Sequence, residues 1–470
     1  MNHNELAFEP IHALSRRLRE RTLTASALLD VYLERIRRFD DKLHAFVEVY
    51  EKEARAAAER TDRVLAEGAT LGPLHGVPIA YKDLLHIEGA VTRGGSVGAD
   101  QRASITATAI KRLTAAGMIA IGKTNMVEAA FGSWGTNTKA GTPWNPWDLR
   151  THRVPGGSSS GSGVAVAAGL VPAALGSDTG GSVRIPASLC GIVGLKTTVG
   201  RVSNHGVLML SDTLDTLGPM TRDVEDAALL FDAMHGPDAL DSRTQAHPRI
   251  DVLSGLKGGV KGMRLAIFPA AELGSVDPAS TRAFEDSLEV LRTLGATIET
   301  VTPPANYNTL AEATGKIIAA EGYEKLQERI DSNEPSMDED VHKRLASGKK
   351  ISAVEYIRIL AERRRVMNEL DAKLSGFDAL LTPTTPAPAI PVSDVDQRVA
   401  PMSRLTRAVN LLDLCAVALP CGYTDESLPL SLQVIGRGYD EARVLRIAWA
   451  YENATDWHTR RPMLGLLSSE

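Results

Sequence analysis

Val154–Gly169 reads VPGGSSSGSGVAVAAG, a loop of glycine and serine that runs straight into a helix of small residues. A phosphate cradle would need G-x-x-x-x-G-K-[ST] directly after a strand. No lysine follows these glycines, the preceding NPWDLRTHRVP is not strand-like, and the stretch holds no G-x-G-x-x-G. Gly157–Gly161 does fit G-x-S-x-G, which would make Ser159 a nucleophile at a strained strand-to-helix turn. The helix is there but the strand is not. None of the histidines beyond it (His205, His235, His247, His342, His458) lies at a recognisable strand end. By itself the loop reads either as a nucleophile turn or as a flexible joint.

The totals narrow the class. A chain of 470 residues with 43% hydrophobic and 23% charged residues has the composition of a globular protein with a sizeable core. The net charge is −6 and the longest basic run is Arg363-Arg364-Arg365, so no nucleic-acid partner is expected. Three cysteines, Cys190, Cys415 and Cys421, without C-x-x-C, argue against a disulfide framework or a cysteine-rich zinc site and for a reducing, cytoplasmic compartment. MNHNELAFEP does not read as a signal peptide. No apolar run approaches the roughly 18 residues of a membrane span, so no membrane association is expected.

Outward from the loop, helical and strand-like segments alternate. Thr24-Ala-Ser26 precedes a helix in ALLDVYLERIRRF, and Glu51–Ala66 predicts another. Gly76–Asp83 (GVPIAYKD), Met118–Lys123 (MIAIGK), Val171–Asp178 (VPAALGSD) and Met263–Phe268 predict short buried strands, with a helix over Ile105–Ala116 between the first two. FDALLTPT, LCAVALPCG and LPLSLQVIGR read as late strands returning to the same sheet, and Gly236–Gly262 as a surface connection. The pattern predicts an α/β fold, a large mixed central sheet covered by helices on both faces.

A second serine stands in GSDTGGSVRIPASLCG, Gly176–Gly191. Ser182 follows two glycines at the end of an apolar strand. Glycines allow backbone amides to approach a ligand closely, and such donors ahead of a serine are what an oxyanion hole requires. Serine needs a base, and a lysine can serve where burial disfavours its charged form. Lys82, in the apolar GVPIAYKD, is such a lysine unless it merely pairs with Asp83 at the strand end.

A lysine strand, then PGGSSSGSG, then DTGGSVRIPASLCGIVGLK, resembles the amidase signature family. GKTNMVEAAFG, GTPWNPWD and the C-terminal LSLQVIGRGYDEARVLRIAWAYENATDWHTRRP extend the resemblance over nearly the whole chain, with residues 305–400 least recognisable. The resemblance implies a single domain over residues 1–470, with N-terminal helices to about residue 70 and a variable helical segment at about 305–375 walling the substrate pocket. It implies a triad of Ser182 as nucleophile, Ser158 as bridging serine after a cis peptide bond, and Lys82 as base. The backbone amides of Thr179, Gly180, Gly181 and Ser182 would form the oxyanion hole. Phe131 and Trp134 would line the acyl pocket or belong to the core. No metal and no cofactor are implied. Ser159 and Ser160 read as loop hydrogen-bonders, Asp178 as a structural anchor of the nucleophile turn, and Cys190 as a packed apolar residue. Arg184 fits a buried ion pair better than a substrate carboxylate. Thr197 and Arg93 depart from the family pattern, where proline and a small hydroxyl residue are usual.

The expected activity is hydrolysis of a small-molecule amide, an aryl amide or carbamate among the candidates, by a stand-alone enzyme. A small-molecule substrate is the expected partner, with a homodimer as a candidate assembly. One alternative is the glutaminase subunit of a tRNA-dependent amidotransferase. NLLDLCAVALPCG suggests another, a carbamate, urethane or allophanate-type hydrolase.

Overall fold

The computed structural model describes residues 3–98, 102–332, 334–399 and 401–465. Eleven strands form one sheet among them: β1 (Phe46–Val49), β2 (Pro78–Lys82), β3 (Ile119–Thr124), β4 (Ala173–Asp178), β5 (Val193–Lys196), β6 (Thr216–Thr221), β7 (Arg264–Ile267), β8 (Thr297–Thr300), β9 (Ala379–Pro383), β10 (Cys415–Tyr423) and β11 (Pro429–Gly436). Their order is β1-β3-β2-β4-β6-β5-β10-β11-β9-β7-β8. β2 runs parallel to both β3 and β4, β7 runs parallel to β8 and β9, and the central pairs are antiparallel. This is the expected large mixed α/β sheet. No described helix is long and apolar enough to cross a membrane.

Strands covered on both faces are buried at every position and largely apolar, which is why β2, β4, β9 and β11 stand out in the sequence. Thr24 caps the helix Ala25–Leu43, its hydroxyl accepting from the Ala27 amide at 3.1 Å. Four strands lack that signal. β5 and β6 sit mid-sheet and are fully buried, yet hold Gly194, Gly218 and Pro219. A Cβ on Gly218 would lie 1.8 Å from the Leu195 carbonyl oxygen, so close strand contact, not β propensity, selects that glycine. β1 and β8 are short edge strands with little buried surface.

The registers set up one end of the sheet. Parallel pairing of Tyr81 with Leu175 brings Lys82 and Ser177 together at the carboxyl ends of β2 and β4. Antiparallel pairing of Asp178 with Thr216 brings the segment before β6, with Asp215, to the same place. After β4 the chain turns sharply at Gly181, whose φ of +125° is strained for any L side chain. A Cβ there would also lie 2.2 Å from the Thr406 hydroxyl.

Asp178 and Arg184 hold this turn. Both are fully buried, and Arg184 donates from Nε and Nη2 to the two Asp178 oxygens at 3.0 and 2.9 Å. The remaining Asp178 acceptors take the Gly181 and Val183 amides at 2.8 and 3.1 Å and the Asn410 side chain at 2.8 Å. Arg184 also donates to the Thr406 carbonyl (3.1 Å), Gln433 (2.6 Å) and Asn410 (2.6 Å). Burial opposes the carboxylate charge, but the guanidinium holds Asp178 well below the usual carboxylate range. Arg184→Gln should cost roughly 3–5 kcal/mol of folding stability, because it strands a buried charge. Arg93→Gln, at the partly exposed pair with Glu48 (3.1 Å), should cost about 1 kcal/mol or less. Urea denaturation of the two variants checks this, and equal midpoints would refute it.

Candidate active site

The loop Pro155–Ser159 and the turn Asp178–Val183 meet beside Lys82. Lys82 is fully buried at the end of β2 and donates from Nζ to the Ser158 hydroxyl at 2.7 Å and to the Ser177 hydroxyl at 2.9 Å. It does not pair with Asp83, whose carboxylate faces Lys123 Nζ at 3.2 Å. Burial pulls the Lys82 ammonium down to about 7, with Asp215 and then Asp178 acting in the opposite direction. Asp215 is pushed up to about 6 by burial, against the hydrogen bond it accepts from the Thr179 hydroxyl at 2.5 Å and those from the Ser211 and Leu210 amides. Neutral amine is therefore well populated at neutral pH.

Ser158 follows a cis peptide bond with Gly157. Gly157 is wedged against the Gly132 carbonyl, where a Cβ would approach to 2.5 Å. Its amide donates to the Ser133 carbonyl at 2.9 Å, and the Ser158 carbonyl accepts from Val127 at 3.2 Å. The Ser159 amide donates to the Ser182 carbonyl at 3.2 Å, so the two serine segments lie side by side. The Ser159 hydroxyl is engaged with the Ser177 backbone at 3.3 Å, which occupies the serine that the G-x-S-x-G match singled out. Ser160 is also buried, and its hydroxyl has no partner among the described residues.

Ser182 lines a narrow cleft together with Thr179, Gly180, Gly157, Phe131 and Trp134. Its hydroxyl makes no hydrogen bond among the described residues. The four amides expected to act together are not equivalent. The Gly181 amide is already donated to Asp178, which leaves those of Thr179, Gly180 and Ser182 near the cleft. Phe131 and Trp134 both reach the cleft, and Trp134 is fixed by an indole hydrogen bond to the Val399 carbonyl at 3.2 Å. Arg184 does not reach it, being consumed by the ion pair below the turn. Cys190 is buried, and its thiol is pushed up by burial alone.

Sequence reasoning missed several residues here. Ser177 and Asp215 carry no motif signal of their own, since strand register alone brings them to Lys82. Ile318, from the helix Tyr307–Asp331, and Arg344, from the helix Glu339–Ala346, line the cleft with Arg407 from the helix Arg404–Leu411. The polar, charge-rich composition of those helices conceals which face turns inward.

A family profile described as Amidase matches residues 27–445. A Glutamyl-tRNA(Gln) amidotransferase subunit from Chloroflexus aggregans is 37% identical, over 98% of this chain and 99% of that protein. A solved structure of a vestigial protein complex, described as revealing the evolutionary origins of an s-triazine catabolic enzyme, superimposes with a TM-score of 0.89 at 31% identity, covering 95% of this chain and 98% of the other. The corresponding Glutamyl-tRNA(Gln) amidotransferase subunit from Thermotoga maritima superimposes with a TM-score of 0.79 at 34% identity, covering 95% of each chain.

These relatives overturn the expectation of a stand-alone hydrolase of small amides or carbamates, and with it the expectation of small-molecule partners only and no nucleic acid. Their names describe subunits of an amidotransferase for charged tRNA. The physical reason for the error is that the motif holding the serines and the lysine carries no mark of the acyl group or of partner chains. Net charge, moreover, reports only on nucleic acid bound directly to the chain, not on nucleic acid held by a partner subunit. By the extent of the family match and the coverage of these relatives, the chain belongs to the amidase signature family and is an enzyme acting on amide C–N bonds.

Proposed function

We propose that this chain is the amidase subunit of an amidotransferase assembly of the kind its relatives' names describe, and that it releases ammonia from the side-chain carboxamide of glutamine through an acyl-enzyme on Ser182. The observation that carries the reading is the buried Lys82–Ser158 hydrogen bond at 2.7 Å, beside a cleft that Ser182 lines. Its near end-to-end likeness to amidotransferase subunits supports the assembly. A cytoplasmic setting fits cysteines that are all free and buried.

Neutral Lys82 accepts a proton from Ser158 as Ser158 accepts one from Ser182. The Ser182 oxygen then attacks the carboxamide carbon, and the negative charge that develops on the carbonyl oxygen meets the amides of Thr179, Gly180 and Ser182. The proton returns from Lys82 through Ser158 to the amide nitrogen, the C–N bond breaks, and ammonia leaves. A water molecule, deprotonated through the same relay, cleaves the ester to free acid and restores Ser182. Ser177 is a positioning residue that holds the amine from its second side. The helices in the 305–375 segment supply the wall that selects the acyl group.

Ammonia release from glutamine tests the reading, measured on the chain alone and with its partner subunits. Ser182→Ala should lower turnover about ten-thousandfold or more. Lys82→Ala and Ser158→Ala should each cost about a hundredfold to ten-thousandfold. Near-normal turnover by Ser182→Ala overturns the mechanism, and release unaffected by partner subunits overturns the assembly.

Because only the neutral amine is the base, kcat/KM should rise with pH through about 7 and level off above it. Asp215 favours the charged ammonium, so Asp215→Asn should move that rise to lower pH. A profile that falls between pH 6 and 8, or a shift to higher pH in the variant, contradicts the assignment of Lys82 as base.

A further inference from the structure

The carboxylate of Glu321, on the helix Tyr307–Asp331, does not line the cleft, yet it collects four hydrogen bonds. Its Oε1 accepts from the Thr213 and Tyr356 hydroxyls. Its Oε2 accepts from the Ser211 hydroxyl and, at 3.1 Å, from the Thr213 amide. Tyr356 comes from a second helix, Ala353–Leu374. Burial, and after it the bond to Glu321, push the Tyr356 phenol up to about 12, so it remains a donor. Hydrogen bonds to an ionised acceptor are the strong ones, and three of these come from the short stretch 211–213.

That stretch leads into Asp215. The Leu210 and Ser211 amides donate to the Asp215 carboxylate at 2.7 and 3.1 Å, and the Asp215 amide donates to the Ser211 carbonyl at 3.1 Å. The Ser211 hydroxyl gives its proton to Glu321 and accepts from the Leu214 amide at 3.2 Å, so one side chain serves both the helix and the loop. Next to Glu321 the helix comes close to the same loop, where a Cβ on Gly322 would lie 2.8 Å from Leu210 Cδ1. On its inner side Asp215 accepts from the Thr179 hydroxyl, at the start of the turn that carries Ser182. The charges around Asp215 are Lys82 and Arg243, and Arg243 pairs with Asp241 at 2.8 Å. Those around Lys82 are Asp215 and Asp178, the latter held by Arg184.

We infer that Glu321 is a positioning residue for the reaction at Ser182: through Ser211 and Thr213 it fixes Asp215, and through Asp215 the Thr179 end of the nucleophile turn and the amine of Lys82. The inference rests on the proposed amidase site and ties the helical segment to its proton relay. Without Glu321 the loop keeps a partly exposed pair between Lys325 and Asp212 at 2.8 Å, and such pairs hold little. Asp215 is then held less firmly beside Lys82, the ammonium loses support, and the amine gives up its proton at lower pH. Glutamine in place of Glu321 still offers a carbonyl to the Thr213 amide, and the hydroxyls can turn to accept from its amide protons, so most of the clamp survives that change.

The test follows ammonia release from glutamine, with partner subunits present, as a function of pH. Glu321→Ala should lower kcat about tenfold with KM changed less than about twofold. It should also move the rise of kcat/KM to lower pH by about half a unit, and Glu321→Gln should recover most of both effects. Added to Asp215→Asn, Glu321→Ala should give no further shift, because both act through one carboxylate. The Cε chemical shift of Lys82, assigned with Lys82→Arg and titrated by NMR, reads the same displacement without turnover. Thr213→Val, which removes one donor and leaves the helix intact, should shift the titration in the same direction and serves if Glu321→Ala folds poorly.

A Glu321→Ala profile that superimposes on the wild type, whatever its kcat, overturns the inference. So does a shift to higher pH, a shift that adds in full to that of Asp215→Asn, or a Lys82 titration that neither variant moves. In each of these outcomes Ser182-dependent hydrolysis survives, so only the inference fails. Absence of Ser182-dependent ammonia release by the wild type removes the amidase reading itself, and the Lys82 titration then still decides whether Glu321 acts on the amine.

Discussion

The buried pair between Asp178 and Arg184 is the constraint on which the site depends. Its guanidinium ties the turn after β4 to three other parts of the fold: the Thr406 carbonyl and Asn410 on the helix Arg404–Leu411, and Gln433 on β11. Its carboxylate draws in the amides of Gly181 and Val183 on either side of Ser182. Every strong donor and acceptor in this set has a partner, the condition under which a buried charge pair fixes a geometry rather than merely destabilising it. The pair holds the turn whose Ser182 lines the cleft.

Three lysines buried to the same degree show how partners decide what burial does. Lys123 faces the Asp83 carboxylate, and Lys196 donates to the Thr197 and Leu414 carbonyls at 2.8 Å. Lys82 faces two hydroxyls. Carboxylates stabilise the ammonium directly. Hydroxyls serve equally well as donors to a neutral amine, so only at Lys82 do the contacting groups allow the proton to leave without stranding a partner. Asp215 and Asp178 temper that effect from farther away.

Much of this is legible in the sequence, and what is not has identifiable causes. The runs that form β2, β3 and β4 can be read because strands covered on both faces are apolar along most of their length. β5 and β6 cannot, because their glycines and proline answer to close contact between neighbouring strands rather than to strand propensity. One long ordered motif points to Lys82, Ser158 and Ser182. Ser177 and Asp215 escape it because they become neighbours of Lys82 and Thr179 only through strand pairing. The reading of substrate and partners failed for a related reason. The lysine and the two serines are confined to the motif, while the helices that line the rest of the cleft have inward faces that composition does not mark.

By itself the sequence determined the α/β class, the strand bearing Lys82 and the order of lysine, loop serine and turn serine, because short-range patterning and backbone-restricted glycines are properties of contiguous residues. Only the tertiary structure decided that Asp83 takes Lys123 and leaves Lys82 to the serines, that the Gly181 amide is consumed by Asp178, and that Arg344 and Arg407 face one cleft. Those outcomes depend on distances between residues remote along the chain, which strand register and helix packing set.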